Sequence, residues 1–450
     1  MRKYIITAAA LLAACLPTNA QTFQEGFFLK GYTLGYRYNP ALSNEGSVIG
    51  LVQWNNFSHN NFGASSFLYP SQDGTLVTAL HESVPASTFL GSLQEDNCIN
   101  GAVNLNLASY GWRKEAAYHT LEANLRGNYN VSVPKEIFQI LKEGSGESAY
   151  DLSGFRLGAQ AYFELAYGYS RQLTSWLSAG ARAKLLVGLE SVGFQFSRFD
   201  LAMSEEEYLA QVEADLRLTS TGGKYLTDEE GYIDPWAISY KDKWMLPAGG
   251  GLAFDLGLVA TPVEGLTISL SALDLGAILW YYGNAGHSKG EISFKGVTDL
   301  SLDQIKNGEI AQEFSELKDQ AMDAIRMKPA GKKTSLEPVS FTLNLAARYE
   351  MPFYRPLSVG VSGSYSGWSP LCYKEIRGSL AWNPSKQFGI TGNIGTGDFG
   401  LVYGAALTLG LYKFHLNVGL QNGFGGTIPY TSIPLKANSS YLTVGLSYDI

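Results

Sequence analysis

The stretch Tyr441-Leu442-Thr443-Val444-Gly445-Leu446-Ser447-Tyr448-Asp449-Ile450 decides the fold. Read as an extended chain, one side carries Leu442, Val444, Leu446, Tyr448 and Ile450, and the other carries Thr443, Gly445, Ser447 and Asp449. Side chains alternate across a strand, so this pattern suits a strand lying between an apolar and a polar medium. The closing strand of an outer-membrane barrel reads this way, and so does a solvent-backed strand of a soluble sandwich.

The other end of the chain separates the two. Arg2 and Lys3 precede the apolar run Tyr4 to Leu12, and Thr18-Asn19-Ala20 before Gln21 offers a small-residue cleavage site, the pattern of a secretory signal peptide over residues 1–20. Leu12-Ala13-Ala14-Cys15 carries the competing reading of a lipidated Cys15. Beyond Ala20 remain Cys98 and Cys372, which nothing in the sequence brings together, so separate thiols are expected. No stretch supplies the ~18 uninterrupted apolar residues of a transmembrane helix. An exported chain that spans a membrane without one must close its strands into a barrel, because lipid cannot satisfy open backbone edges. A mean hydropathy of -0.04 fits strands that are greasy on one face and polar on the other. The net charge of -8 argues against a nucleic-acid partner. The expected place is therefore the outer membrane of a Gram-negative bacterium, after cleavage near Ala20. The expected partners are outer-membrane lipid and, through Ser439 to Ile450, the barrel-assembly machinery.

The alternation recurs along the chain. Phe155, Leu157, Ala159, Ala161, Phe163, Leu165, Tyr167 and Tyr169 share one face, against Arg156, Gln160, Tyr162, Glu164 and Ser170. Leu177 to Leu189 opposes Arg182, Lys184 and Glu190; Leu252 to Leu258 opposes Asp255; Phe341 to Tyr349 opposes Thr342, Asn344, Arg348 and Glu350. These runs reach ten residues or more, roughly the ~9–11 that a tilted membrane strand needs. Short connections at Arg171 to Ser175, Pro262 to Gly265, Met351 to Arg355, Pro384 to Gln387 and Tyr412-Lys413 alternate with longer ones at Ser204 to Gly249, Asn284 to Ser335, Gly367 to Tyr373 and Gly423 to Asn438. Short turns belong to the periplasmic side of such barrels, and this places the long connections outside, provided Leu177 to Phe199 is one long projecting strand.

Ser301 with Gln304 and Ser204 with Glu207 are capping-box spacings, which predict helices within the long loops 284–335 and 204–249. A third helix is expected over Pro134 to Lys142. In the earlier part, Val48 to Trp54, Phe62 to Leu68, Ala102 to Tyr110 and Thr120 to Tyr129 read as strands, while residues 27–45 are either a first strand or an internal plug. The reading is a single all-β domain over residues 21–450, a transmembrane antiparallel β-barrel of about fourteen strands, within about twelve to sixteen.

Chemistry-bearing constellations are sparse. His59, His81, His119, His287 and His415 have no metal-ligand spacing, and no nucleophile, base and acid stand out, so neither an enzyme nor a cofactor or metal site is expected. The inward charges Arg156, Glu164, Arg182, Lys184, Glu190, Asp255, Asp274, Arg348 and Glu350 are the lumen-lining candidates. They are either a polar constriction or a salt-bridge network filling the barrel, and mixed signs favour the network. Trp280-Tyr281-Tyr282, Trp368, Trp176, Trp382 and Tyr412 read as interfacial girdles, with Trp236 and Trp244 as loop positions that could form a sugar platform.

Asn39-Pro40-Ala41-Leu42, Gly251-Leu252-Ala253-Phe254-Asp255-Leu256-Gly257 and Ser271-Ala272-Leu273-Asp274-Leu275-Gly276 resemble motifs of FadL-like and PorV-like outer-membrane barrels. Val133-Pro134-Lys135-Glu136-Ile137-Phe138, Tyr167-Gly168-Tyr169-Ser170-Arg171 and Ala181-Arg182-Ala183-Lys184-Leu185-Leu186-Val187-Gly188 resemble an uncharacterised Bacteroidetes outer-membrane family defined as a domain of unknown function. The first resemblance implies FadL-like passage of a small or hydrophobic solute. The alternative it implies is a PorV-like, non-transporting scaffold that holds a secretion or surface protein. These are scaffold motifs, and no ligand residue carries over with them.

Overall fold

The computed structural model describes residues 23–71, 75–143, 149–203, 208–240, 246–294, 319–320, 323–368, 371–422 and 436–450. The expected signal peptide, Cys15, most of the helix after Ser301 and the connection after Gly423 lie outside them.

The wall is a ring of antiparallel strands. In chain order these are β1 (Val48–Asn60), β2 (Asp96–Lys114), β3 (Ala117–Pro134), β4 (Arg156–Gln172), β5 (Leu177–Met203), β6 (Gly249–Ala260) and β7 (Leu266–Phe294). They are followed by β8 (Phe341–Glu350), β9 (Leu357–Trp368), β10 (Leu371–Trp382), β11 (Phe388–Gly397), β12 (Gly400–Leu411), β13 (Phe414–Gln421) and β14 (Asn438–Asp449). Each pairs with the next. The last closes on the first, with Val48 opposite Asp449 and Asn60 opposite Asn438. Closure satisfies the backbone donors and acceptors that an open sheet would leave at its edges.

The period-2 pattern is turned inside out relative to a soluble protein. On β14, Thr443 and Ser447 are buried inside while Val444 faces out; on β3, Glu122, Asn124 and Arg126 are buried while Leu121 and Leu125 are exposed. Leu252, Phe254, Leu256 and Leu258 on β6 and Leu343 and Leu345 on β8 continue the outer apolar belt. Trp176, Tyr354, Trp382 and Tyr412 sit exposed beside the tight turns at one end. An apolar belt of this extent around a polar interior is the signature of a transmembrane barrel. Among the described residues, no helix is long and apolar enough to cross a membrane. Trp280 departs from the girdle reading. Its indole is buried inside against Gly188 and Gly249, in a cluster with Tyr162, Leu186 and Ile278, while Tyr281 next to it faces out.

Away from the tight turns the wall rises into a projecting sheet. There β6 gives way to an inserted strand, Tyr208–Ser220, which pairs with Glu190 to Met203 of β5 and Gly283 to Phe294 of β7. Lys328–Pro338 runs along β7 and leads into β8, and the hairpin Gly223–Thr227/Ile233–Tyr240 packs on the sheet through Tyr225, Ile233, Leu216 and Leu218. Among the described residues, the segment expected as a long, partly helical loop over 204–249 is therefore largely strand, while in the one over 284–335 both described ends are strand and residues 323–325 are helical. After Ser204 the reason is visible: Ala210, Val212, Ala214, Leu216 and Leu218 are buried, alternating with Gln211, Glu213, Asp215, Arg217 and Thr219, and this period of two overrides the capping-box spacing.

Two further expectations are corrected. Phe62 to Leu68 is not a strand but a turn around the 3-10 helix Ala64–Ser66, its rings Phe62 and Phe67 packing against Phe138. The connection over Gly367 to Tyr373 is short, since Trp368 lies opposite Leu371. With the bend between Gly397 and Gly400, this makes the far end a mixture of tight and long connections. The helix expected over Pro134 to Lys142 is present as α1 (Lys135–Glu143), directly after the proline that ends β3.

Residues 23–47 contain no strand. Two 3-10 turns, Gln24–Phe28 and Gly35–Arg37, fold the segment inside the ring, where Leu34, Tyr38 and Asn39 are fully or almost fully buried. Its contacts reach many parts of the wall: Thr33 to Ser447 of β14 at 2.7 Å, Tyr38 O to Ser271 of β7 at 2.9 Å, and Lys30 to Glu350 of β8 at 2.9 Å.

Candidate functional site

Beneath and beside this plug the inward charges form one chain of alternating sign. Arg37 Nε of the plug lies 3.1 Å from Glu122 Oε2, and Glu122 Oε1 is 2.5 Å from Arg182 Nη1. Arg182 Nε donates to Asp255 at 2.6 Å, Asp255 meets Lys184 at 2.8 Å, and Lys184 meets Asp274 at 2.5 Å. Asp274 accepts from Arg126 Nη1 at 2.8 Å, and Arg126 Nε lies 3.0 Å from Glu164. Four cations thus stand against four carboxylates on β3, β4, β5, β6, β7 and the plug, with each side chain's exposure at 8% or less. An isolated charge at that depth would be costly, and alternation gives each one at least one opposite neighbour.

Backbone geometry sets the junction of Asp255 and Asp274. Asp274 has a φ of 61°, at a bulge where the β6–β7 register shifts, and its N–H donates to Asp255 Oδ1 at 2.7 Å. The two aspartates meet as neighbours that share Lys184.

Of the nine expected lumen residues, Glu164, Arg182, Lys184, Asp255 and Asp274 lie in this chain. Arg348 and Glu350 hold the plug instead. Arg348 Nη1 donates to Phe27 O at 2.8 Å, and Glu350 pairs with Lys30. Glu190 is half-buried where the projecting sheet begins, opposite Ser220, and Arg156 is exposed at the far end of β4. Sequence reasoning read Thr120 to Tyr129 as a strand without setting its Glu122 and Arg126 among the lumen residues, and it missed Arg37, Glu25, Glu375 and Arg377. Glu375 and Arg377 carried a signal in their i, i+2 spacing beside outward Ile376; Glu25 and Arg37, in irregular backbone, carried none.

The plug is fixed at two further places. Asn39 Nδ2 donates to Leu258 O at 2.9 Å, Ser269 Oγ at 2.7 Å and Leu270 O at 3.1 Å. Pro40 beside it rests on Gly180 and Gly257, which face each other on β5 and β6; a Cβ there would come within 2.2 Å of Pro40 O or 2.0 Å of Asn39 Oδ1. At the opposite wall Glu25 accepts from Arg377 Nη1 at 2.9 Å and Asn393 Nδ2 at 2.6 Å and touches the Tyr441 hydroxyl. Burial pushes the Glu25 carboxyl above its ordinary value, with Arg377 opposing. The same cause pushes the Tyr32 hydroxyl up to about 12 and raises Tyr36 and Tyr38.

Between plug and charge chain a cavity of about 20 Å³ remains, lined by Tyr32, Arg37, Gln53, Asn124 and Asp274. That is room for about one water, and no solute. On the inner wall beyond Glu25, the His59 ring lies tilted 4.3 Å from Tyr373 and stacks 4.9 Å from Phe399, and Phe57 lies 5.3 Å from Tyr441. Among the described residues no group of three His, Cys, Asp or Glu side chains could hold a metal. Cys98 is buried and Cys372 exposed, both as free thiols.

Comparison with solved structures gives distant likenesses. The toluene transporter TbuX of Ralstonia pickettii is 8% identical with a TM-score of 0.45, covering 93% of this chain and 94% of its own. A FadL homologue of Pseudomonas aeruginosa is 12% identical with a TM-score of 0.42, covering 97% and 95%. The translocator domain of the autotransporter NalP of Neisseria meningitidis is 7% identical with a TM-score of 0.33, covering 95% of each. No curated protein matches the chain. A family model described as Family of unknown function (DUF5723) matches residues 40–420, and the chain belongs to that family.

Proposed function

We propose that this protein is an outer-membrane channel whose lumen is closed from within by residues 23–47 and which, when the plug moves, passes a small solute with an apolar body. One observation carries the reading: the plug rests on a wall shaped to receive it, at Gly180, Gly257 and Arg377, and the cavity between plug and charge chain has room for about one water. A wall that needed only to be stable would not require a separate irregular segment inside it. The aromatic inner surface around His59, Tyr373 and Phe399 supports an apolar rather than an ionic solute. The outward apolar belt supports placement in a bilayer.

The projecting sheet favours a second reading, a scaffold that presents Tyr208–Ser220 and its hairpin to a surface protein. Planar-bilayer recording separates the two. Intact protein is expected to show little steady conductance, and a form lacking residues 23–47 but keeping residues 1–22 a large one. Equal, negligible conductance in both forms, together with a stable co-purifying partner, would sink the channel reading in favour of the scaffold.

A further inference from the structure

On four neighbouring strands, farther from the tight turns than the charge chain, a row of inward side chains is polar and buried. His59 of β1 stands opposite Asn100 of β2, Ala102 of β2 opposite Asn128 of β3, and Asn128 opposite Gln160 of β4. His59, Asn100, Asn128 and Gln160 are all at 6% exposure or less. Among the described residues, nothing bonds to either ring nitrogen of His59, to Asn100 Oδ1, or to the oxygen or nitrogen of the Asn128 and Gln160 amides. Asn100 Nδ2 reaches Cys98 Sγ at 3.7 Å, a weak acceptor. Buried polar groups are as a rule hydrogen-bonded, so a run of unbonded ones on adjacent strands calls for a reason.

A filled and stiffened wall does not supply it. Nearer the tight turns the same strands cross-link their inward side chains. Asn106, Asn124 and Glu164 are direct ladder partners, and Asn106 Nδ2 donates to Asn124 Oδ1 at 2.9 Å and Asn124 Nδ2 to Glu164 Oε1 at 2.8 Å. Asn128 and Gln160 are direct ladder partners too, two residues after Arg126 and four before Glu164, and leave each other unbonded. The row itself holds no carboxylate, ammonium or guanidinium. At its β1 end the His59 ring meets Tyr373 of β10 and Phe399 of the bend after β11, so an aromatic surface adjoins the unbonded amides.

We propose that this row binds an uncharged amphipathic solute, whose apolar ring lies against His59, Tyr373 and Phe399 and whose hydroxyl groups bond to Asn100, Asn128 and Gln160. This names the solute class of the channel reading and rests on that reading. Each amide offers a donor and an acceptor, which suits hydroxyls, since each of those is both. A pure hydrocarbon would leave the amides unpaired, and a charged solute would enter without a counter-ion in the row. Neighbouring strands lie ~4.8 Å apart, so β1 to β4 covers about 14 Å of wall and fits a solute longer than one ring.

Equilibrium dialysis of the full-length protein in phospholipid nanodiscs, with empty nanodiscs subtracted, tests this with four probes. They are 4-nitrophenyl β-glucoside, its glucuronide counterpart, nitrobenzene and glucose. The glucoside should bind about tenfold tighter than each of the others, because they lack its neutrality, its hydroxyls or its apolar ring. A glucoside held no better than nitrobenzene overturns the site, and a glucuronide held as well as the glucoside overturns the uncharged class. The near-isosteric variant N128L/Q160M should lower glucoside binding to the nitrobenzene level and leave nitrobenzene binding unchanged. Its urea midpoint should stay at or above that of the parent, since it removes buried groups that bond to nothing in the wall. Unchanged glucoside binding, or a clear fall in the midpoint, overturns the proposal. Should that variant fail to assemble, H59F keeps the ring and removes both nitrogens, and the same loss of glucoside binding is expected of it. Dialysis reads the site and conductance reads passage. Selective glucoside binding by a protein whose plug-less form never conducts supports the site and sinks the channel, whereas conductance without selective binding does the reverse.

Discussion

Lys184 has no exposed surface and touches Asp255 and Asp274, with Glu164 at 4.0 Å. Its ammonium joins the Arg182 half of the alternating chain to the Arg126 half. Replacing it by methionine keeps the bulk and removes the charge, leaving Arg182 and Arg126 as the cations beside the neighbouring aspartates. Breaking a buried pair from one side costs about 3–5 kcal/mol. The expected result for K184M is a loss of that size in urea unfolding from lipid vesicles. K184M/D274N, which removes one charge of each sign, should recover a large part. A K184M protein within about 0.5 kcal/mol of the parent, the scatter of ordinary surface substitutions, would show that the network is solvated and not structural. The sequence made Lys184 and Asp255 legible as inward residues because their neighbours alternate. It could not show that Asp255 and Asp274 share a cation, because that contact depends on a bulge with Asp274 at positive φ, and a bulge leaves no mark in a period of two.

At the scale of elements, the motifs that stand out in the sequence turn out to be parts of one joint. Asn39-Pro40 of the plug sits on Gly257, which ends the β6 motif, and Asp274 of the β7 motif bonds to Asp255 of the β6 motif. The strands themselves were readable wherever one face is uniformly apolar, as on β4, β5 and β14. Two of the misreadings have a visible cause. Over Tyr208–Ser220 a capping spacing outweighed a clear alternation, and at Trp280 an aromatic next to Tyr281 pointed inward because Gly188 and Gly249 leave it space. The plug has no period at all, so its path was left open between strand and plug. The glycine seat gives a direct prediction. G180V or G257V places side-chain atoms where Pro40 and Asn39 lie, on strands whose outer faces and ladder are unchanged. Either variant should assemble as a barrel yet show raised steady conductance, approaching that of the plug-less form. Closed channels in both, with intact folding, would show that the Asn39-Pro40 contact does not hold the plug.

At the scale of the whole molecule, the ring has two unlike ends. One is finished by tight turns, such as Leu173 to Trp176 and Tyr412-Lys413, with exposed Trp176, Trp382 and Tyr412 beside them. The other carries the projecting sheet, α1 and the aromatic cluster around Phe67 and Phe138. A barrel inserted from the periplasm must carry one set of connections through the bilayer. The short-turn end is the one these barrels keep on the periplasmic side. The plug adds to the asymmetry, because Lys30 and Glu45 fasten it near the tight turns, to Glu350 and Lys386. On the proposed reading it closes the lumen from that side. A short epitope tag inserted beside exposed Lys224, in the hairpin on the projecting sheet, should be detected by antibody on intact cells, and the same tag at Ser385, in the turn between β10 and β11, after permeabilisation alone. The opposite pattern would invert the molecule, placing the plug at the outer mouth and the projecting sheet in the periplasm, and with it the direction in which a solute would have to meet the plug.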